Sequence, residues 1–254
     1  MTTIEQPFLT HLQELRTKIS IWAFFFVALT CVGYMYRQDI LRFLIAPLQQ
    51  ELFYQSPMGG FDFFLKISLL FGFITSLPVL LFQIYNFSFP ALPNEIQKNS
   101  VLFIVISCCL AGIGMGFAYF ILLPATLHFL NQFETNSIHS LISTDSYLTF
   151  ISRYILGFGF IFQIPLVLFL VNEVKHFSFR SLMHFQKWVI LLSFTAAAII
   201  TPTSDILNMS LMALPLVALY QFTVLVIVII NRKKSNTQKI KSLNTTSRRN
   251  HSQR

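Results

Sequence analysis

The residues best able to do chemistry in this chain are four polar groups set inside apolar runs: Lys66, Gln83, Arg153 and Gln163. A cation or an amide in hydrocarbon is costly and must find a partner or reach water. Lys66 and Arg153 each stand within a turn or two of the start of their runs. Each therefore either snorkels to the nearby interface or serves the interior. The glutamines cannot snorkel as a charge does, so each bonds a neighbouring helix or faces a solvated groove. His11, His128, His139, His176, His184 and His251 are scattered, with no HExxH, GxSxG or glycine-rich phosphate loop. Cys31, Cys108 and Cys109 all lie in apolar runs without metal-ligand spacing. No enzyme, metal or cofactor is expected. No Asp, Glu or His relay crosses an apolar run, which argues against a pump.

The elements that hold these groups must be membrane helices. The chain has 254 residues and is 54% hydrophobic and 11% charged, roughly half the charge of a soluble domain. A water-soluble globule is excluded. Apolar runs separated by turn signals predict an all-α integral membrane protein with six spans: 19–36, 63–85, 101–123, 148–172, 188–200 and 206–230. At about 1.5 Å per residue the fifth run reaches only about 20 Å. It is therefore expected as half of a short hairpin that thins the bilayer, or as a re-entrant segment. Pro78, Pro124, Pro165 and Pro215 lie in or at the ends of spans and predict a cupped, kinked bundle. Gly112 and Gly116 offer a small-xxx-small face for close helix contact.

Charge sets the orientation. There are 18 Lys+Arg against 10 Asp+Glu. Arg16, Lys18, Lys98, Lys175, Arg180, Lys187 and the tail from Arg232 onward fall on one side, and Arg37 and Arg42 on the other. By the positive-inside rule both termini face the inner compartment. Phe8, Leu12, Leu15 and Ile19 recur at helical spacing behind Pro7, so residues 1–18 are expected to lie as an amphipathic interfacial helix before turning into the first span. Residues 231–254 read as a disordered basic arm attracted to anionic lipid. The arm has no interleaved aromatics, so nucleic acid is not expected as a partner. No cleavable signal is expected at the amino terminus. Phe, Ile, Met, Tyr, Asn and Lys outnumber Gly, Ala, Pro and Arg, the bias of an AT-rich, organellar or endosymbiont-like genome.

Several tags in order now carry a resemblance. They are His11-Leu12-Gln13-Glu14-Leu15-Arg16, Ala46-Pro47-Leu48, Phe63-Phe64-Leu65-Lys66, Leu77-Pro78 through Gln83, and Phe89-Pro90 through Glu95. Gly116 through Phe120, Phe158 through Pro165, and Thr201-Pro202 followed by Asp205 complete the set. The chain resembles the TatC family, the multispanning receptor of the twin-arginine protein translocase, from about residue 8 to 230. The resemblance implies a six-span cupped protein with both ends inside that recognises folded cargo through paired-arginine signal peptides. It also implies partner subunits with a single span, TatA-like and TatB-like, in a homo- or hetero-oligomer. Glu14 and Arg16 fall on the family's signal-recognition motif, and Glu95 on the acid of its first inner loop. Gln163 falls on the polar position of the fourth span, and Asp205 on the acid of the last outer turn. Gln83 and Lys66 sit in matching tags as further bundle contacts, and Pro47, Pro78, Pro165 and Pro215 are read as structural.

Three positions depart from the pattern. Gly59-Gly60 stands where an acid usually precedes the second span, the first inner loop carries little positive charge, and Met209 occupies the place of a usual Gln. The expected mechanism is that Glu14 and Glu95 converge to hold two guanidinium groups while the apolar part of the signal enters the bundle groove. A small-solute transporter or channel would instead show inverted repeats, and the two halves show no self-similarity. A structural assembly factor is the third reading. Composition and charge suit a mitochondrial inner membrane, with a bacterial plasma membrane or thylakoid as alternatives.

Overall fold

The computed structural model describes residues 5–48, 50–88, 97, 100–132, 141–174, 179–200, 206, 209–210 and 212–231. Six helical stretches are long and apolar enough to cross a membrane: Gln13–Met35, Gly59–Phe87, Ser100–Asn131, Thr144–Glu173, Ser181–Ile199 and Met212–Asn231. The chain is thus an all-α membrane protein with six spanning helices. Contacts divide it into two units, residues 1–163 with 199–204, and residues 164–198 with 205–254.

In the first unit α1 (Glu5–Met35) runs without a break. The expected turn between the amino-terminal segment and the first span does not occur, because no Gly or Pro intervenes and the Thr17 and Ser20 hydroxyls donate back to Gln13 O and Arg16 O within the helix. A short α2 (Arg37–Ile45) follows, then the turn at Pro47, where the Leu48 N–H donates to Ile45 O at 2.9 Å. Next come the two-residue strand β1 (Leu52–Phe53) and α3 (Gly59–Ser88), with Pro78 inside it.

Helices α1 and α3 pack antiparallel through small contacts. A Cβ on Gly72 would lie 2.8 Å from the Thr30 nitrogen, so only glycine admits the α1 backbone there. Trp22 Nε1 donates to Ser76 Oγ at 3.2 Å, and the Trp22 ring stacks on Phe26 and meets Phe73 edge-on.

The third span is α4 (Ser100–Phe117), a π turn over Ala118–Leu122, and α5 (Leu123–Asn131). The wider turn has a local cause. Pro124 has no N–H for the carbonyl of Phe120, and its ring would collide there in a regular helix. The backbone accommodates it by widening one turn, with Leu123 N–H donating five residues back to Ala118 O.

Strand β2 (Ile142–Ser143) pairs in parallel with β1, Leu52 opposite Ile142 and Phe53 opposite Ser143. The loops that charge alternation placed on one side therefore meet at one end of the unit. Ser143 caps α6 (Thr144–Ile161) by accepting from Ser146 N. At this end, two tyrosine hydroxyls satisfy the open carbonyls of α2. Tyr147 donates to Leu44 O at 2.7 Å, and Tyr119 donates to Phe43 O. Ile67, Leu123, Ile151, Tyr154 and Phe158 form the centre of the core, all fully buried.

The glycine contact on the third span is displaced from expectation. Gly112 faces nothing within 4 Å, and Gly116 meets only Phe120 of its own helix. Gly114 is the close-packing residue: a Cβ there would lie 2.6 Å from Phe158 O. The two-glycine spacing was right for a face but named the wrong one, since Gly114 points roughly the opposite way from its flanking glycines.

The second unit contains α7 (Ile164–Val174), α8 (Phe179–Ile200) up to Ala198, and α9 (Met212–Asn231), which includes Pro215. Leu182, Tyr220, Val224 and Ile227 form its core, against Leu168, Phe169, Val189 and Val228. Tyr220 donates to Leu182 O at 2.8 Å. Asn172 and Asn231 exchange two amide hydrogen bonds of 3.1 and 3.2 Å. The fifth span is longer than the 13-residue run at 188–200. Its apolar window covers Ser181–Ile199, 19 residues or about 28 Å of helix. Lys187 and His184 interrupt the hydropathy but not the helix, because straight-chain and imidazole side chains tolerate helical backbone. The last two spans are still the shortest of the six, at 19 and 20 residues.

These glycine contacts predict opposite outcomes for two neighbouring substitutions. Gly114→Ala is expected to cost about 1–3 kcal/mol by overpacking, whereas Gly112→Ala is neutral or stabilising by up to about 1 kcal/mol through helix propensity. Equilibrium unfolding of the two variants in detergent measures the contrast.

Candidate functional site

Three polar positions stand out once the helices are placed. The first lies at the amino-terminal end of α1. Glu14 accepts from Lys18 Nζ at 2.6 Å, one helical turn on, and the Glu14 side chain is 47% exposed. Lys18 in turn lies over the Phe87 ring, 5.7 Å from its centre. Glu14 therefore sits at the end of the unit where α3 finishes. Arg16 is exposed. Glu95, expected to converge with Glu14, and Asp205 both lie outside the described residues.

The second position is at the opposite end, where β1 and β2 pair. Lys66 binds two carboxylates, Asp62 at 2.6 Å and Asp145 at 2.5 Å. It thus ties the start of α3 to the start of α6. The Asp62–Lys66 spacing of four residues is legible in the sequence as a helix-surface pair, but nothing in the sequence signals that Asp145 joins it. Beside the cluster, α1, α3 and α6 line a groove of about 770 Å³. Its walls are Phe26, Leu69, Leu70, Phe73, Leu148, Leu156 and Ile199, with Lys66, Thr149, Ser152 and Arg153 as polar groups.

The third position is the carboxyl-terminal end of α6. Pro165 cannot continue the helix, and the chain bends at Phe162 and Gln163 just before it, with Gln163 N donating to Phe160 O at 3.0 Å. There Ser107 Oγ donates to Gln163 Oε1 at 2.6 Å, and Gln163 Nε2 donates to Ser107 O at 3.0 Å. The amide is thus satisfied twice by α4. Gln83, half-buried on α3, has no hydrogen-bond partner among the described residues. Among those residues no cluster of His, Cys, Asp or Glu could hold a metal ion. The described residues offer no reacting constellation. They offer an exposed acid at one end of the first unit, an ion-paired cap at the other, and between them the end of α6 held twice by α4.

Comparison with known proteins supplies the context. Residues 10–215 match the profile of the family described as Sec-independent protein translocase protein (TatC). The Sec-independent protein translocase protein TatC of Desulforapulum autotrophicum is 31% identical over 241 residues, covering 92% of this chain and 88% of that protein. The chloroplastic protein TATC of Oryza sativa subsp. japonica is 33% identical over 225 residues, 85% of this chain and 61% of that one. A crystal structure of the twin-arginine translocase receptor TatC superposes with a TM-score of 0.77 at 30% identity, covering 85% of this chain and 98% of that one.

The two-bond contact at the end of α6 predicts measurable coupling. In a double-mutant cycle of Ser107→Ala and Gln163→Leu, unfolding in detergent is expected to give a coupling of about 0.6–1.7 kcal/mol, the range for interhelical hydrogen bonds in membranes.

Proposed function

The chain belongs to the TatC family and is a multispanning membrane subunit of the Sec-independent, twin-arginine protein translocase; we propose that it receives paired-arginine signal peptides of folded cargo through Glu14 and Glu95. Two adjacent guanidinium groups approaching a chain of net charge +8 are repelled unless local carboxylates outweigh that field. The observation that carries the reading is the Glu14–Lys18 pair in the amino-terminal third of α1, with Glu14 half-exposed and Lys18 largely covered. An ammonium is a point charge, whereas a guanidinium makes two parallel bonds to a carboxylate. Lys18 therefore holds Glu14 in place until an arginine of the signal replaces it. Arg16, two positions on, does not face Glu14 on a helix and contacts the rest of the signal or lipid phosphate.

Gln163 is committed to Ser107, so its role is to hold the end of α6 against α4. Gln83 and Asp205 are the polar positions offered to single-span TatA-like and TatB-like partners. Inner-side positive charge and an AT-type composition support the mitochondrial inner membrane as the location, in a family whose relatives include bacterial and chloroplastic proteins.

Fluorescence anisotropy of a paired-arginine signal peptide, titrated with the full chain in detergent, tests the reading. Glu14→Gln with Glu95→Gln is expected to weaken binding by about 2–5 kcal/mol, and Lys18→Gln to leave it equal or tighter, since the competing cation is gone. Undiminished binding to the double variant refutes the site.

A further inference from the structure

We infer that Arg248 and Arg249, in this chain's own carboxyl-terminal tail, occupy the Glu14 acid site when no cargo is present and so compete with the signal peptide. The inference rests on the reading of Glu14 and Glu95 as the site for paired arginines, and names a regulator of that site. Arg248-Arg249 is the one place in the sequence where two arginines are adjacent. The pair lies beyond Asn231, outside the described residues, so charge, sidedness and reach carry the case.

The distribution of charge is uneven. Eight of the 18 Lys and Arg lie after Asn231, and none of the 10 Asp and Glu does, so the tail carries the whole formal charge of +8 and residues 1–231 balance to zero. The repulsion that a cationic signal meets therefore originates in the tail. Glu14 is an acid such a tail can use. Its side chain is 47% exposed, and its partner Lys18 holds it at 2.6 Å as a point charge, whereas a guanidinium makes two parallel bonds to a carboxylate. The paired arginines, not the lysines of the tail, are thus suited to take the place of Lys18.

Sidedness and reach permit the contact. An even number of spans, six, returns the tail to the face from which α1 starts, and Glu14 stands at the start of the first span. The 17 positions from Asn231 to Arg248 extend at most about 60 Å. Packed helices lie about 8–10 Å apart, so the pair reaches across several helix widths. Residues Asn250 through Arg254 are all polar. The tail therefore fills the acid site without entering an apolar groove, and a signal with an apolar segment displaces it.

Tethering makes a weak ligand effective. A ligand joined to its receptor meets it at about 1 mM, so an intrinsic dissociation constant of about 0.1–1 mM occupies the site from half to about nine-tenths of the time. Apparent affinity for an external signal falls by the fraction left open, about two- to tenfold.

Fluorescence anisotropy of a paired-arginine signal peptide, titrated with the full chain in detergent, tests it. Arg248→Gln with Arg249→Gln is expected to bind the peptide about two- to tenfold tighter. Arg248→Lys with Arg249→Lys is expected to tighten it as well, because lysine keeps the charge and loses the fork. Lys239→Gln with Lys241→Gln, which removes the same charge, is expected to change it much less. A photocrosslinker replacing the exposed Gln13 is expected to capture the tail near Arg248 within one chain, and excess signal peptide to suppress the capture. Unchanged affinity in the Arg→Gln pair overturns the proposal, and so does equal tightening in the Lys239 and Lys241 pair, which reduces the effect to net charge. A tail effect confined to bilayers with phosphatidylglycerol assigns the tail to lipid and also overturns it, as does capture only between two copies. Glu14→Gln with Glu95→Gln separates the two readings. If that variant loses the peptide while the tail variants bind no tighter, the tail proposal alone falls; if it keeps the peptide, the acid site falls as well.

Discussion

Hydrocarbon supplies no hydrogen bonds, so a polar group carried into a span is stabilised by a partner within the protein or by reaching the interface. That constraint accounts for the long-range polar contacts among the described residues. Lys66 takes two carboxylates from two helices. The amide of Gln163 is answered twice by Ser107, and Asn172 and Asn231 answer each other. The open carbonyls at the end of α2 receive the hydroxyls of Tyr119 and Tyr147. These contacts are not scattered over the helices. They sit where regular backbone ends or bends, because those are the places where carbonyls lose their helical partners.

Proline decides where such places occur. Pro124 and Pro165 produce different local structures although both lie in long apolar runs. Before Pro124 the helix widens by one residue and continues, and before Pro165 it stops for two residues and restarts. In the second case the freed segment carries a side chain able to bridge to another span, and the bridge ties the end of α6 to α4. Close approach of α4 at Gly114, against the carbonyl of Phe158 one turn earlier, supports the same contact from the neighbouring turn.

The number of spans and the pairing of loops were legible in the sequence, because apolar length and the alternation of Lys and Arg report on the bilayer and not on neighbours. The membership in a family was legible too, from ordered tags. What the sequence hid depended on azimuth. Periodicity showed that the third span had a small-residue face but not that Gly114 is the one buried, since two-residue spacing on a helix turns through 200° of arc. Lys66 was legible as a cation near a span end, while its second carboxylate, 79 residues away, was not. The fifth span was underestimated because hydropathy penalises Lys187 and His184, although both belong to the helix.

The parallel bridge between Leu52 and Ile142 has a consequence for biogenesis. A chain that emerges from a ribosome presents α1 and α3 first, and their hairpin is complete in itself, with Gly72 seated on Thr30 and Trp22 bonded to Ser76. The distal cap cannot close until two further spans have been delivered. In that interval Lys66 has Asp62 alone as counter-ion, and the carbonyls of α2 await hydroxyls not yet synthesised. Assembly is therefore ordered from the amino terminus, with the far rim the last part of its unit to set.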